Sequence, residues 1–451
     1  MEKMKLKEIQ LNKQGQVAFR ITSDPEICET KNGGNYVRCE ITDGESSETL
    51  KIWEVKQDDM DAGVVVRGGC YSAAIKKGLY QDAFTFSCKK DNLEVLPDSE
   101  KAGLIMMPPK GILEMWQRIM EILAQFSGNT AALARFTLEE NKAKFQMWSA
   151  AEKLHHNLYG GLLYHVYRMA LCCTNIATIA NKRISATLGF ILQKWMKDEN
   201  LKHIIQAYVQ DNTYLLPQSA IIAYYLAKIY GLDTDIVLAA MIIREGRLSS
   251  PVGPVYYQDK KVREICQKDN IPMTEKVMLF RHCLYVSENK PSNIPEGILC
   301  MLAERIAEAL KANASKIDGE LLISACLLHD IGKLRELATD EAGSAKYTVE
   351  GTLFNHAIIG IEMIESAAER AGMTADERLL HCIASHHGKL EWGALVEPVG
   401  TEACILHEVD ILDARLYAAE EAVKTIKEGE FSGRIFMLDN ARMYHRQGED
   451  K

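Results

Sequence analysis

The chain has 451 residues, with 53 Lys/Arg against 62 Asp/Glu for a net charge of −9; 47% of its residues are apolar and 25% charged. This length predicts two or three domains, and the composition excludes collagen-like, mucin-like and largely disordered chains. The acidic balance excludes a generally basic nucleic-acid coat protein but leaves room for a local basic groove.

From the start of the chain, Met1 to Gln10 alternates charged and apolar residues and lacks the apolar core of a signal peptide. Residues 1–96 read as β. Segments 16–22, 35–42, 49–55, 64–73, 83–88 and 92–96 are short and rich in β-branched or aromatic residues. Turn signals such as Lys31-Asn32-Gly33-Gly34 and Asp43-Gly44 separate them. Val37, Cys39 and Ile41 share one face of their strand and Tyr36, Arg38 and Glu40 the other; Leu50 and Ile52 alternate with Lys51 and Trp53. Short strands at this spacing predict a small barrel, with an OB-fold the best candidate.

Residues 97–111, rich in Pro and Gly, read as a linker. Beyond it the pattern is helical, with apolar residues three and four apart in 112–125, 131–151, 161–180, 185–196, 218–230, 298–312, 319–337, 355–371, 375–385 and 401–426. The most apolar runs, 220–227 and 236–243, are too short to span a membrane and read as buried helices. The twelve cysteines include no Cys-x-x-Cys pair. They read as reduced thiols of a cytoplasmic protein, so neither disulfides nor a thiolate zinc site is expected.

The chemistry-bearing residues cluster late: seven of the twelve histidines lie between His329 and His445. In Leu327-Leu328-His329-Asp330-Ile331-Gly332-Lys333 an imidazole and a carboxylate stand together at the end of a very apolar helix. Burying both without partners is costly, and one metal ion compensates for both; a plain helix cap is the bland alternative. Metal-type side chains recur on separate predicted helices: His165, His356, the pair His386-His387, and Asp410. A core role for each would need its own hydrogen-bond partner.

In this order His165, His329-Asp330 and Asp410 resemble the HD superfamily of metal-dependent phosphohydrolases. The likeness is closest to the bacterial 3′–5′ exoribonucleases of the YhaM type, which join an N-terminal OB domain to a C-terminal HD domain. The stretches that carry it are 155–165, 327–334, Ser385-His386-His387-Gly388-Lys389-Leu390-Glu391-Trp392-Gly393, and 405–414. The resemblance implies an OB domain at 1–96, a linker at 97–111 and an HD domain made of 112–180 and 298–446. The first His and the His-Asp pair stand 164 positions apart, where the family has a few tens, so 181–297 reads as a helical insertion. A second departure is Tyr164, where family members usually carry an acidic residue.

The resemblance assigns His165, His329, Asp330 and Asp410 to one metal and adds His356 and His386 for a second, with Asp330 between them. It implies one or two divalent ions per chain, Mn first, with Fe, Zn, Mg or Co as alternatives; mixed imidazole and carboxylate donors suit Mn, Fe or Zn. Asp330, Lys333 and His387 are the expected catalytic residues, Lys333 to neutralise charge on phosphoryl oxygens. His155, His156 and His387 are candidates for phosphate contact or proton transfer. His407 shares the helix face of Asp410 and could support it; Asp413 is a rival to Asp410, but the family register favours Asp410. His203, His282, His381 and His445 read as structural or surface residues. In the β region, Tyr36, Arg38, Lys51 and Trp53 are candidates for a platform that stacks and neutralises a single strand, although residues 1–96 carry a net −2.

The leading expectation is a 3′–5′ exoribonuclease of single-stranded RNA, or of DNA as well, releasing nucleoside 5′-monophosphates. The alternatives are an HD phosphohydrolase of a small nucleotide and a nucleic-acid-binding protein with a vestigial site. No membrane partner is expected, and self-association is left open.

Overall fold

The computed structural model describes residues 3–30, 33–80, 83–152, 156–244, 254–287, 290–312, 316–424 and 426–448. Of the expected site residues, His155 lies outside them. Seven strands build the first part of the chain: β1 (Gln14–Ile21), β2 (Glu26–Glu29), β3 (Asn35–Thr42), β4 (Ser47–Trp53), β5 (Cys70–Tyr80), β6 (Ala83–Lys89) and β7 (Glu94–Val95). They form one sheet in the order β1-β3-β4-β6-β5-β7, and β5 also pairs with β1, so the strand path returns to its start. The β4–β6 pair is parallel, its neighbours antiparallel, and β2 lies along β3.

Period-two alternation makes these strands. Val17, Phe19 and Ile21 of β1, Val37, Cys39 and Ile41 of β3, and Leu50 and Ile52 of β4 are buried in an apolar core separate from that of the helices. One predicted strand, 64–73, is corrected: it begins only at Cys70. Its β-branched run Val64-Val65-Val66 is caught between Gly63 (φ +70°) and Gly68 (φ +79°), so the chain turns there and buries Val65 alone of the three. The short, half-polar β2 (Glu-Ile-Cys-Glu) carries too little pattern to be predicted.

The second part is helical. Ile112–Leu123, Asn129–Glu140 and Gly161–Lys182 lead to Leu188–Lys194, Glu199–Val209, Gln218–Ile229, Thr234–Arg244, Pro254–Lys268 and Glu275–Tyr285. Then come Pro295–Ala312, Gly319–Leu328, His356–Ala371, Glu377–Ser385 and Thr401–Lys424. One apolar cluster runs through all of this, including the expected insertion. The insertion is tied in by polar anchors as well: Arg244, nearly fully buried, pairs with Glu304 and donates to the carbonyls of Cys283 and Val286. No helix among the described residues is long and apolar enough to cross a membrane.

The predicted helix 319–337 is interrupted, and the interruption builds the site. Gly319–Leu328 ends, residues 329–332 turn, and a short helix Lys333–Glu336 runs into a hairpin of Leu337–Thr339 with Ala345–Tyr347. At Gly332 a Cβ would stand 2.0 Å from the His356 carbonyl oxygen, so only glycine lets this turn press against the start of the next helix. A second hairpin, Phe431–Ile435 with Ala441–Tyr444, was likewise not predicted.

The first hairpin also joins the two parts of the molecule. Asp340 accepts from the backbone N–H groups of Ala342 and Ser344 and pairs with Arg20 of β1 at 2.8 Å. Arg67 donates to the Ala345 carbonyl at 2.5 Å, and Lys346 pairs with Asp24 at 3.1 Å. Arg20 and Arg67 are largely buried there. Hydrogen bonds to charged groups contribute about 1.5–3 kcal/mol each, so the double variant R20A/R67A is expected to lose roughly that much or more. Its thermal unfolding midpoint checks this; an unchanged midpoint would show that the hairpin does not hold the two parts together.

Candidate metal centre

Four histidines converge, and each is oriented by a bond to its Nδ1. His329 and His386 sit at the C-terminal ends of Gly319–Leu328 and Glu377–Ser385, where each donates Nδ1–H to the carbonyl three residues back: Cys326 at 2.8 Å and Ile383 at 2.6 Å. His165, in the second turn of Gly161–Lys182, donates Nδ1–H to Asp413 at 2.7 Å. His356 opens its helix and donates to Glu336 at 3.0 Å, while the same carboxylate accepts the His356 backbone N–H. With every Nδ1 engaged, all four Nε2 atoms face inward.

What they face is Asp330. Its Oδ2 lies 3.3 Å from His329 Nε2, 3.7 Å from His165 Nε2 and 2.7 Å from Lys333 Nζ. Its Oδ1 lies 3.3 Å from His356 Nε2 and 3.9 Å from His386 Nε2. Asp410 Oδ1 approaches His165 Nε2 at 3.3 Å. The Nε2 atoms themselves pair off, His165 with His329 at 3.3 Å and His356 with His386 at 3.2 Å. His165, His329, Asp330 and His386 are almost entirely buried; Asp410, 17% exposed, and the half-buried His387 form the open side.

This donor set fits metal ions. An imidazole that donates through Nδ1 presents a lone pair at Nε2, so two facing Nε2 atoms repel unless a positive charge lies between them. Asp330 Oδ2 is buried and contacts three nitrogens without one aligned hydrogen bond. Donors about 2.0–2.2 Å from a shared ion stand at separations of this size. Charge tells the same story. Burial opposes ionisation of Asp330, yet Lys333 and the histidines hold its carboxyl well below the usual range. Burial likewise works against a charged His165, but Asp410 and Asp413 outweigh it and push the imidazole up to about 9, so these carboxylates favour a cation at Nε2, a proton or a metal ion. Lys333 stays charged against its burial because Asp330 faces it.

The rivalry between Asp410 and Asp413 resolves by which nitrogen each meets. Asp410 takes the Nε2 side of His165, Asp413 the Nδ1 side. Asp413 also binds His156 Nε2 at 2.6 Å, pairs with Arg168 Nε at 2.6 Å and accepts from Tyr230 at 3.0 Å. His156 is thus buried behind Asp413 and packed on Tyr417, and burial pushes it down to about 4. His407 gives its Nδ1 to the His386 carbonyl at 2.8 Å and lies against Gly388, where a Cβ would come within 2.1 Å of the ring. His387 stands beside His356 and His386, its buried Nδ1 without a hydrogen bond; burial and then His356 lower it to about 4. His203 pairs with Asp269 at the surface, and His282, His381 and His445 bond to nearby backbone groups.

Sequence reasoning missed Glu336, Arg168 and Tyr230. Arg168, three residues after His165, shares its helix face, which was a legible hint. Glu336 and Tyr230 have no motif, and Tyr230 lies in the segment expected to be an insertion. In the β region the four platform candidates do come together. Tyr36 lies opposite Trp53 and Arg38 opposite Lys51, with the two rings 5.0 Å apart and Lys51 Nζ 5.5 Å from the Tyr36 ring. None of the four is buried.

Residues 299–415 match the HD domain family. The 3′–5′ exoribonuclease YhaM of Bacillus subtilis strain 168 is 39% identical over 155 residues, 34% of this chain and 48% of that protein. Those of Bacillus pumilus and Listeria innocua are 43% identical over 155 residues and 38% over 143. The chain thus spans about half the length of the curated relatives it matches. No solved structure matches. The helical part therefore carries an HD domain related to that of the YhaM-type exoribonucleases, and the matched segment holds every convergent donor except His165.

Loss of a carboxylate that orients a ligating histidine costs metal affinity about 10–100-fold. Glu336→Ala is expected to weaken Mn²⁺ binding by that factor, and Glu336→Gln, which keeps an acceptor for His356 Nδ1, by much less. Titration calorimetry checks it; equal affinity in both variants and the unaltered chain would show that His356 holds no ion.

Proposed function

We propose that the chain is a metal-dependent 3′–5′ exoribonuclease, with His165, His329, Asp330 and Asp410 holding one divalent ion and Asp330, His356 and His386 a second. The observation that carries this reading is the pair of facing imidazole couples around one buried carboxylate. The likeness to YhaM exoribonucleases supplies the substrate class and direction. Manganese is the first choice of ion, since imidazole and carboxylate donors suit it. Bound ions supply Lewis-acid stabilisation of the phosphoryl oxygens and a nucleophilic water at neutral pH.

The chain's own groups do the rest. The water oxygen bonds to phosphorus as the P–O3′ bond breaks, leaving a nucleoside 5′-monophosphate and a strand shortened by one residue with a free 3′-hydroxyl. Lys333, charged and 2.7 Å from Asp330, is placed to balance negative charge that develops on the phosphoryl oxygens. His387, neutral and half-buried beside His356 and His386, is placed to contact phosphate or water. Arg168, His156 and Tyr230 keep Asp413 in place, and Asp413 keeps His165 in place.

For the β region we read an OB-fold: the closed path of pairings with a single parallel pair, β4–β6, supports it. Its outer face, with Tyr36, Trp53, Arg38 and Lys51, would hold the single strand. The free cysteines among the described residues fit a reducing compartment, such as the cytoplasm.

Incubation with an RNA labelled at its 5′ end tests the activity. A ladder shortening from the 3′ end, with nucleoside 5′-monophosphates released and chelator stopping it, is the expected result; internal cuts, or cleavage indifferent to chelator, would contradict it. Stacking on an aromatic side chain contributes about 1–3 kcal/mol per base, so Y36A/W53A is expected to bind a single-stranded RNA at least about fivefold more weakly. Fluorescence anisotropy in chelator reads this; unchanged affinity would remove the platform.

A further inference from the structure

A cavity of about 180 Å³ lies where the chain around 287–292, the helix Pro295–Ala312, the long helix Thr401–Lys424, the turn that follows His386-His387 and residues 438–439 meet. Its polar wall carries three cations. Arg305 comes from Pro295–Ala312, Lys389 from the turn and Arg415 from the long helix; the floor is apolar, with Met301 and Leu438. Each of these cations is met by a carboxylate: Glu408 at 3.5 Å from Arg305, Glu391 at 3.9 Å from Lys389 and Asp439 at 3.1 Å from Arg415. Trp392, 46% exposed, stands at the edge with Lys389 Nζ 4.5 Å from its ring centre.

We infer that this cavity binds one nucleotide unit, its phosphate between Arg305 and Arg415 and its base against Trp392. An aromatic ring beside several cations is the combination that recognises a nucleotide without regard to sequence. The volume is small beside the roughly 300–1,000 Å³ of pockets for drug-sized ligands, so the cavity takes the phosphate end of one unit and the base lies at the edge on Trp392. In taking the base, the ring exchanges the Lys389 ammonium for a π-face, and the ammonium turns to the phosphate. Arg305 and Arg415 exchange part of their bonding to carboxylates for a bidentate anion.

The position gives the cavity a role. Trp392 lies 6.0 Å from the ring of His407, and His407 holds the His386 carbonyl at 2.8 Å. A nucleotide seated here therefore rests on the segment that carries His386 and His387, outside the metal centre. Ser287 and Ser292, which close the insertion, form part of the wall. The inference rests on the nuclease reading only for the kind of ligand. Two sources share the chemistry: a free nucleoside 5′-monophosphate and a nucleotide of the strand itself.

Binding of adenosine 5′-monophosphate to the full chain in chelator, followed by titration calorimetry, tests it. Saturable binding is expected, weakened about tenfold or more by Trp392→Ala and also by Arg415→Gln, and largely kept by Trp392→Phe. Inorganic phosphate should bind more weakly than the nucleotide. Competition by a short oligoribonucleotide would assign the cavity to the strand; its absence would assign it to the free monophosphate. No binding at millimolar nucleotide, or equal affinity in all variants, would overturn the proposal. Because the assay needs no hydrolysis, such a failure beside an intact RNA ladder would leave the nuclease reading standing, and the reverse outcome would leave the cavity standing.

Discussion

A buried carboxylate surrounded by imidazoles must be balanced by positive charge, and the helical half is arranged around that demand at Asp330. Five nitrogens, from four histidines and Lys333, stand within 2.7–3.9 Å of its two oxygens. Each histidine is locked from behind by an acceptor on Nδ1, two of them backbone carbonyls at helix ends and two of them carboxylates. The local helix breaks follow from this. The turn after His329 exists because the chain must bring Asp330, Lys333 and the start of the His356 helix to one point, and Gly332 allows that approach.

The same demand explains how the remote parts contribute. Segment 181–297 is packed into the common core, and its Tyr230 hydroxyl reaches Asp413, which in turn orients His165. The β region reaches it through the hairpin that follows Glu336, held at its far end by Arg20 and Arg67. Glu336 fixes His356, so the β region touches an element only a few residues from the second group of donors. The parts therefore differ in chemistry but are not mechanically independent.

Much of the centre was legible in the sequence because its residues are costly anywhere else. His-Asp at the end of an apolar helix, and single histidines and an aspartate on other apolar helices, left few roles but metal binding; His165, His329, Asp330, His356, His386 and Asp410 do converge. Strand alternation around Val37, Cys39, Ile41, Leu50 and Ile52 was equally plain. The preference for Asp410 over Asp413 came only from the family register, since residues three apart share a helix face; in the structure they meet opposite sides of the His165 ring. Nor could periodicity reveal Glu336, Tyr230 or the two small hairpins. Their partners lie far away in the chain, and strands of three to five residues carry almost no pattern. The error at 64–73 has a different cause: β-branched propensity was outweighed by two glycines in the left-handed region.

The central claim is that Asp330 is the shared anion of a metal centre. The most direct measurement is the metal content of the purified chain after equilibration with Mn²⁺ and removal of the excess, compared with Asp330→Asn. The amide keeps the shape and removes the charge that both groups of donors share. Bound metal is expected in the unaltered chain and its near-complete loss in the variant, with helical content retained by circular dichroism. Equal metal content in the two proteins would contradict it.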